Sequence, residues 1–325
     1  MAIDSPVDMS LWQGRTDPEP DSDRWHQRIQ PLTDEAVPGC VLIGFESDAG
    51  VARNQGRTGA AEGPDALRRA LAPLAWHHTA PAYDAGNVRC MDDALEAAQQ
   101  TLADRVASLL TAGHLPIVLG GGHEVAYASW SGLAQFFTQT EPVHEGSGSE
   151  ESVPRIGIIN LDAHFDLRAP AHVHSSGTPF AQIAGQCQAQ GWPFRYACLG
   201  VSRAANTQGL FKRAAELGTL IREDHEINTL RLEAVIRDMQ RFMARCDHLY
   251  LSIDLDVLPA AEAPGVSAPA SHGVSLALIE SLIEAVRDSG KLRLVDVAEL
   301  NPRLDIDNRT ARAAARLIHT LTLNN

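Results

Sequence analysis

Short, almost wholly apolar runs punctuate this chain at regular intervals, separated by longer stretches in which apolar and polar residues alternate with a helical period. Cys40-Val41-Leu42-Ile43-Gly44-Phe45 is the first such run, and others follow at 116–120, 156–161, 196–201, 248–253 and 292–297. A run with no polar face is what a strand buried on both sides requires, because helices cover both faces of a parallel sheet. Between the runs the period lengthens. From Asp92 to Thr111, the residues Leu95, Ala98, Leu102, Val106 and Leu109 or Leu110 fall on one stripe at the 3.6-residue repeat. The segments 229–246, 276–289 and 308–321 read the same way, the last being rich in Ala and Arg. Strands alternating with helices predict an α/β fold, a three-layer α/β/α arrangement around a central, mostly parallel sheet.

Two stretches fall outside this alternation. Residues 1–37 are polar and broken by prolines, which predicts an N-terminal extension packed on the surface or partly mobile. Glu141-Pro142-Val143-His144-Glu145-Gly146-Ser147-Gly148-Ser149-Glu150-Glu151-Ser152 is acidic and rich in Gly and Ser, so a flexible surface insertion is expected over 141–154. His144 there reads as a solvated loop histidine, and the pair His77-His78 has no carboxylate nearby in sequence. The remainder, 38–325, reads as a single domain. With 44% hydrophobic residues among its 325, the whole chain has ample material for a large core.

The chemistry sits where apolar runs end. Asn160-Leu161-Asp162-Ala163-His164-Phe165-Asp166 sets two carboxylates either side of an imidazole at alternate positions, and alternate positions of extended chain share a face. Ser252-Ile253-Asp254-Leu255-Asp256 closes a second run with another pair, and Leu119-Gly120-Gly121-Gly122-His123 closes a third. Ligand sites of open parallel sheets gather at the carboxyl ends of the strands, which gives these three segments a reason to meet. Asp162, Asp166, Asp254 and Asp256 would repel one another severely unless neutralised. Two divalent cations balance them, with His123 and His164 as neutral nitrogen donors. Oxygen ligands with some imidazole and no thiolate suit manganese, without excluding cobalt, nickel or iron. Two ions about 3.5–4 Å apart lower the pKa of a shared water and make a hydrolytic nucleophile near neutral pH.

With these residues in place, the chain from about 40 to 323 resembles the ureohydrolase (arginase/agmatinase) family. The resemblance is carried by Gly-Gly-Gly-His at 120–123, Asp-Ala-His-Phe-Asp at 162–166 and Ser-Ile-Asp-Leu-Asp-Val-Leu-Pro at 252–259. Gly63-Pro64-Asp65-Ala66-Leu67-Arg68 and Asp296-Val297-Ala298-Glu299-Leu300-Asn301-Pro302 look like two further signatures of that family. The resemblance implies an arginase-like catalytic domain, two Mn(2+) per subunit, a homo-oligomer of trimeric or hexameric kind, and Glu299 facing the cationic carbon–nitrogen group of the substrate. Asp166, beside the nucleophile, is the candidate proton carrier.

Three departures from arginases and agmatinases point to the branch that cleaves N-formimidoyl-L-glutamate to L-glutamate and formamide in histidine breakdown. Glu124 follows the metal histidine where relatives usually carry Ser. Arg168 stands two residues beyond a ligand where arginases have Asn. Ser176, in Ser175-Ser176-Gly177-Thr178-Pro179-Phe180, replaces a histidine of agmatinases and guanidinobutyrases. His174 is the nearby candidate to take over, against the plainer reading of a solvated loop residue. Such a substrate carries two carboxylates besides its amidinium, and an arginine near the metals would attract it while repelling agmatine. Arg57 and Arg203, in the loops 53–57 and 200–207, are further candidates. An agmatinase or guanidino-acid hydrolase with a changed pocket stays open, and so does a catalytically silent metal-binding scaffold, although six intact ligands count against the latter.

Charge and cysteines narrow the class further. A net charge of −14 argues against a nucleic-acid partner and for small-molecule ligands. The five scattered cysteines, without a Cys-x-x-Cys pair, read as reduced thiols of a cytoplasmic protein. No apolar stretch is long enough for a membrane span, and the N-terminus is too polar for a signal peptide.

Overall fold

The computed structural model describes residues 2–140, 153–169 and 173–323. The element order is β1 (Ala2–Ser5), α1 (Trp25–Arg28), β2 (Gln30–Pro31), β3 (Cys40–Glu46), α2 (Ala49–Arg53), α3 (Gly63–Leu71), β4 (Ala82–Cys90), α4 (Leu95–Thr111), β5 (Leu115–Leu119) and α5 (Val125–Thr140). It continues with β6 (Ile156–Leu161), α6 (Pro179–Gln190), β7 (Arg195–Val201), α7 (Gln208–Glu216), β8 (Leu220–Glu223), α8 (Leu232–Met243), β9 (His248–Asp254), α9 (Leu276–Arg287), β10 (Leu292–Ala298) and α10 (Arg309–Thr322). One sheet runs in the order β1-β4-β3-β5-β10-β9-β6-β7-β8, with β2 also on β4. Every pairing is parallel except that of β1 with β4.

Side chains alternate across the strands, so each strand feeds two cores. On β3, Leu42 joins the cluster shared with Leu67 and Leu71 of α3, Met239 of α8, Ile283 of α9 and Leu317 of α10. Its neighbours Val41, Ile43 and Phe45 point the other way, to Leu102 of α4, Leu133 of α5 and Ile183 of α6. The expected three layers follow from that alternation. The expected flexible insertion falls almost entirely outside the described residues.

The N-terminal stretch contributes to the same packed body. β1 extends the sheet edge antiparallel to β4. The Trp12 indole donates to Asp84 at 2.8 Å, and Trp25 is fully buried against Trp76 and His78. Two aromatic anchors thus hold a segment whose composition alone predicts surface chain.

Candidate metal centre

Four adjacent strands, β5, β10, β9 and β6, deliver the candidate residues at their carboxyl ends. His123 follows β5, Asp162, His164 and Asp166 follow β6, Asp254 ends β9 with Asp256 two residues on, and Glu299 follows β10. The register is shared: Val118 pairs with Asp296, Asp296 with Ser252, and Ser252 with Asn160. Asp296, Ser252 and Asn160 therefore form a polar row across β10, β9 and β6 beneath the site. Ser252 and Asp254 hold alternate positions on β9 and so share a face, and Asp256 follows in a single 3-10 turn just past the strand end.

The six predicted ligands converge. Among the described residues, one group of ligand atoms from His123, Asp162, Asp166 and Asp254 and a second from Asp162, His164 and Asp256 each lie within 4.8 Å of one another. Asp162, shared by both, is fully buried, and His123 nearly so. His123 Nδ1 stands 3.2 Å from Asp162, 2.9 Å from Asp166 and 3.1 Å from Asp254, while His164 Nδ1 stands 3.0 Å from Asp256.

Hydrogen bonding around His123 fits a cation beside its ring. His123 Nε2 lies 2.9 Å from Ser252 Oγ, and that hydroxyl spends its proton on Asp296 at 2.6 Å. Ser252 must then accept, so the network assigns the imidazole proton to Nε2. In the neutral imidazole Nδ1 is then left with a lone pair facing three carboxylates at ion-pair distance, and it makes no hydrogen bond with any of them. A lone pair facing carboxylates is repulsive unless a cation lies between, and a divalent ion suits this donor set.

The titration behaviour asks for positive charge at the same place. Burial disfavours an imidazolium at His123, but Asp162, Asp166 and Asp254 outweigh it and hold its pKa well above the usual range. The Asp256 charge, foremost, does the same for His164. Burial, reinforced by neighbouring carboxylates, raises Asp254 and Asp166, and burial raises Asp256. Asp162 is also penalised by burial, yet the two histidines draw it below the ordinary carboxylate range.

A cavity of about 320 Å³ opens above this cluster. His123, His164, Asp166, Asp254 and Asp256 form its floor, and Asn54, Arg57, Arg168, Ser176, Asn206, Ser267 and Glu299 are in its walls. Glu299 accepts from the His123 amide at 2.8 Å, and burial, then the Glu124 charge, pushes its carboxyl up to about 8. Both Glu299 (φ 70°) and Asp166 (φ 48°) adopt left-handed backbone, a strain that such residues carry at functional sites.

The arginine candidates separate. Arg168 lines the cavity, donates to Asn54 Oδ1 at 2.8 Å, and has no carboxylate partner among the described residues. Arg57 also lines it, but its guanidinium is taken up by the carbonyls of Ser267 and Val266 at 2.9 and 2.8 Å. Arg203 departs from expectation: it pairs with Glu223, lies over the Phe211 ring and does not line the cavity. The reason is local, since β8 ends at Glu223 beside the loop that carries Arg203. His174 does not line the cavity either and faces Glu96 at 3.8 Å.

Other supporting residues escape the motif reading. Asn206 accepts from the Phe165 amide at 3.1 Å and donates to the carbonyls of Ala163 and Ser202, both at 2.8 Å, bracing the ligand loop. Asn160 donates to Asp162 at 2.9 Å. Tyr250 joins Ser252 in donating to Asp296. Strand alternation places Asn160 and Ser252 in line with the ligands and was the available signal; nothing in the sequence marks Asn206.

Comparison with known proteins gives a consistent result. The sequence profile of the arginase family matches residues 38–323. A formimidoylglutamase of Aeromonas hydrophila is 56% identical over 98% of this chain and 98% of its own, and one of Chromobacterium violaceum is 50% identical over 97% and 98%. Among solved structures, a Trypanosoma cruzi formiminoglutamase with Mn2+ superposes with a TM-score of 0.74 at 25% identity, covering 88% of this chain and 93% of that one. An arginase from Bacillus subtilis gives 0.73 at 26% identity over 88% and 99%.

Proposed function

The chain belongs to the arginase family, and from that premise we propose that it hydrolyses N-formimidoyl-L-glutamate to L-glutamate and formamide, in line with the activity for which its relatives are named. One observation supports the substrate assignment above the others. Arg168 presents a guanidinium without a carboxylate partner, among the described residues, to a cavity whose floor is acidic. A substrate with an amidinium at one end and carboxylates at the other matches both charges, whereas the terminal ammonium of agmatine would meet Arg168 with like charge.

His123, Asp162, His164, Asp166, Asp254 and Asp256 would hold two manganese ions, which when bound would lower the pKa of water and so supply a nucleophile near neutral pH. The chain's own groups do the rest. Glu299 holds the amidinium through charge-assisted hydrogen bonds and orients the formimidoyl carbon over the cavity floor. A cation at that position also favours the ionised form of Glu299 against its burial. As water adds to that carbon, Asp166 accepts its proton and returns it to the glutamate nitrogen, so that the bond from carbon to that nitrogen breaks and formamide and L-glutamate leave. Arg168 takes a substrate carboxylate; Ser176 and Arg57 complete the wall, Arg57 by fixing the Val266–Ser267 backbone. In this reading 38–325 is the catalytic domain of a cytoplasmic homo-oligomer. No helix among the described residues is long and apolar enough to cross a membrane.

Substitution of Arg168 by Ala tests the assignment. The KM for N-formimidoyl-L-glutamate should rise about tenfold or more while kcat changes little, as expected when a charged hydrogen bond to bound substrate is lost. An unchanged KM would remove Arg168 from the site.

A further inference from the structure

Glu124 directly follows His123, yet it belongs to neither group of ligand atoms and does not line the cavity, and neither metal binding nor catalysis in the reading above uses it. Its Oε1 accepts from Ser47 Oγ at 3.0 Å and from the Gly50 amide at 2.9 Å. Its Oε2 is buried with no hydrogen-bond partner. Room for the carboxylate exists because two neighbours lack side chains: a Cβ on Gly50 would come within 2.5 Å of the Glu124 carboxyl carbon, and one on Gly122 within 2.2 Å of Oε2.

The contacts of Gly50 lead onward to the substrate cavity. Its carbonyl accepts from the Ser176 amide at 3.1 Å and from the Asn54 amide at 2.9 Å. Asn54, just past α2, accepts from Arg168 at 2.8 Å, and the Arg168 amide donates to the Gly177 carbonyl at 3.0 Å. A single buried carboxylate therefore sets the height of α2, and α2 sets both Ser176 and the guanidinium of Arg168 relative to His123. We propose that Glu124 is a positioning residue that docks α2 onto the metal-ligand loop and thereby fixes the carboxylate-binding end of the cavity. This rests on the substrate reading above for its kinetic half only.

The test joins hydrogen exchange with kinetics on the manganese-loaded full chain. In Glu124→Ala, amides of 47–54 and 176–178 should exchange about tenfold faster, with α10 unaffected, and the KM for N-formimidoyl-L-glutamate should rise by a similar factor at a kcat within about threefold of wild type. Glu124→Gln keeps a carbonyl acceptor for both donors and should restore both readouts. Ser47→Ala removes one donor and should give the same changes at smaller size; it carries the test if the alanine variant at 124 does not fold. Unchanged exchange at 47–54 overturns the proposal. Faster exchange with an unchanged KM overturns the link to substrate. Faster exchange in a protein whose wild type does not cleave N-formimidoyl-L-glutamate supports the docking role and overturns the substrate reading instead.

Discussion

His123 Nε2 and Ser252 Oγ lie 2.9 Å apart, and because the serine's own proton goes to Asp296, the bond fixes which imidazole nitrogen is free to meet a cation. Ser252→Ala removes that constraint without touching a ligand. Manganese affinity should fall about 10–100-fold, the range seen when outer partners of ligating histidines are lost, as read by metal titration. Affinity equal to wild type would show that the strand end alone orients the ring.

Glu299 is proposed to hold the amidinium and not a metal ion. Glu299→Gln keeps the side-chain shape and an acceptor for the His123 amide but removes the charge. We expect kcat to fall about 10²–10³-fold, the scale of losing one preorganised electrostatic contact, with bound manganese unchanged by elemental analysis. Loss of metal in this variant would move Glu299 into the ligand set.

Stability at acid pH should depend on a histidine far from the active site. His319 accepts from the Trp25 indole at 3.3 Å, and burial, aided by His78 and His77, lowers its pKa to about 4. The unfolded chain, with an ordinary histidine pKa near ~6.5, then binds more protons than the folded one between those values. The stabilising contribution is fully present above about 6.5 and is lost as pH falls towards about 4. His319→Asn retains an acceptor but does not titrate, so its thermal midpoint should fall less over that window. Equal slopes for both proteins would exclude His319 as a contributor.

What the chain reveals before folding depends on whether its constraint is local. The strand runs at 116–120, 156–161, 248–253 and 292–297 were legible because burial on both faces admits only apolar residues, and their ends locate His123, Asp162, Asp254 and Glu299. β4 was not, because its interior carries Asp84 and Asn87. These are tolerable only because Arg68, fully buried on α3, donates twice to Asp84 at 2.7 and 2.8 Å and once to Asn87 at 2.7 Å. Such a buried pair is defined by a contact across the fold and leaves no period in the sequence.

The same division runs through the site. Asp162, His164 and Asp166 lie on one short segment and announce themselves. Arg57, Arg168 and Arg203 are alike as loop arginines, and only tertiary structure separates them: Glu223 neutralises the last, two carbonyls occupy the first, and Arg168 remains directed at the cavity. The anchoring of residues 2–31 likewise rests on Trp12 and Trp25 meeting Asp84 and Trp76, partners more than fifty positions away.

The most direct test of the central claim is to give manganese-reconstituted protein N-formimidoyl-L-glutamate, agmatine, arginine and 4-guanidinobutyrate separately, and to quantify formamide, urea and ammonia. Equal amounts of formamide and L-glutamate from the first substrate, with no urea from the others, is the predicted result. Urea released from a guanidino compound at a comparable rate, or ammonia in place of formamide, would contradict it.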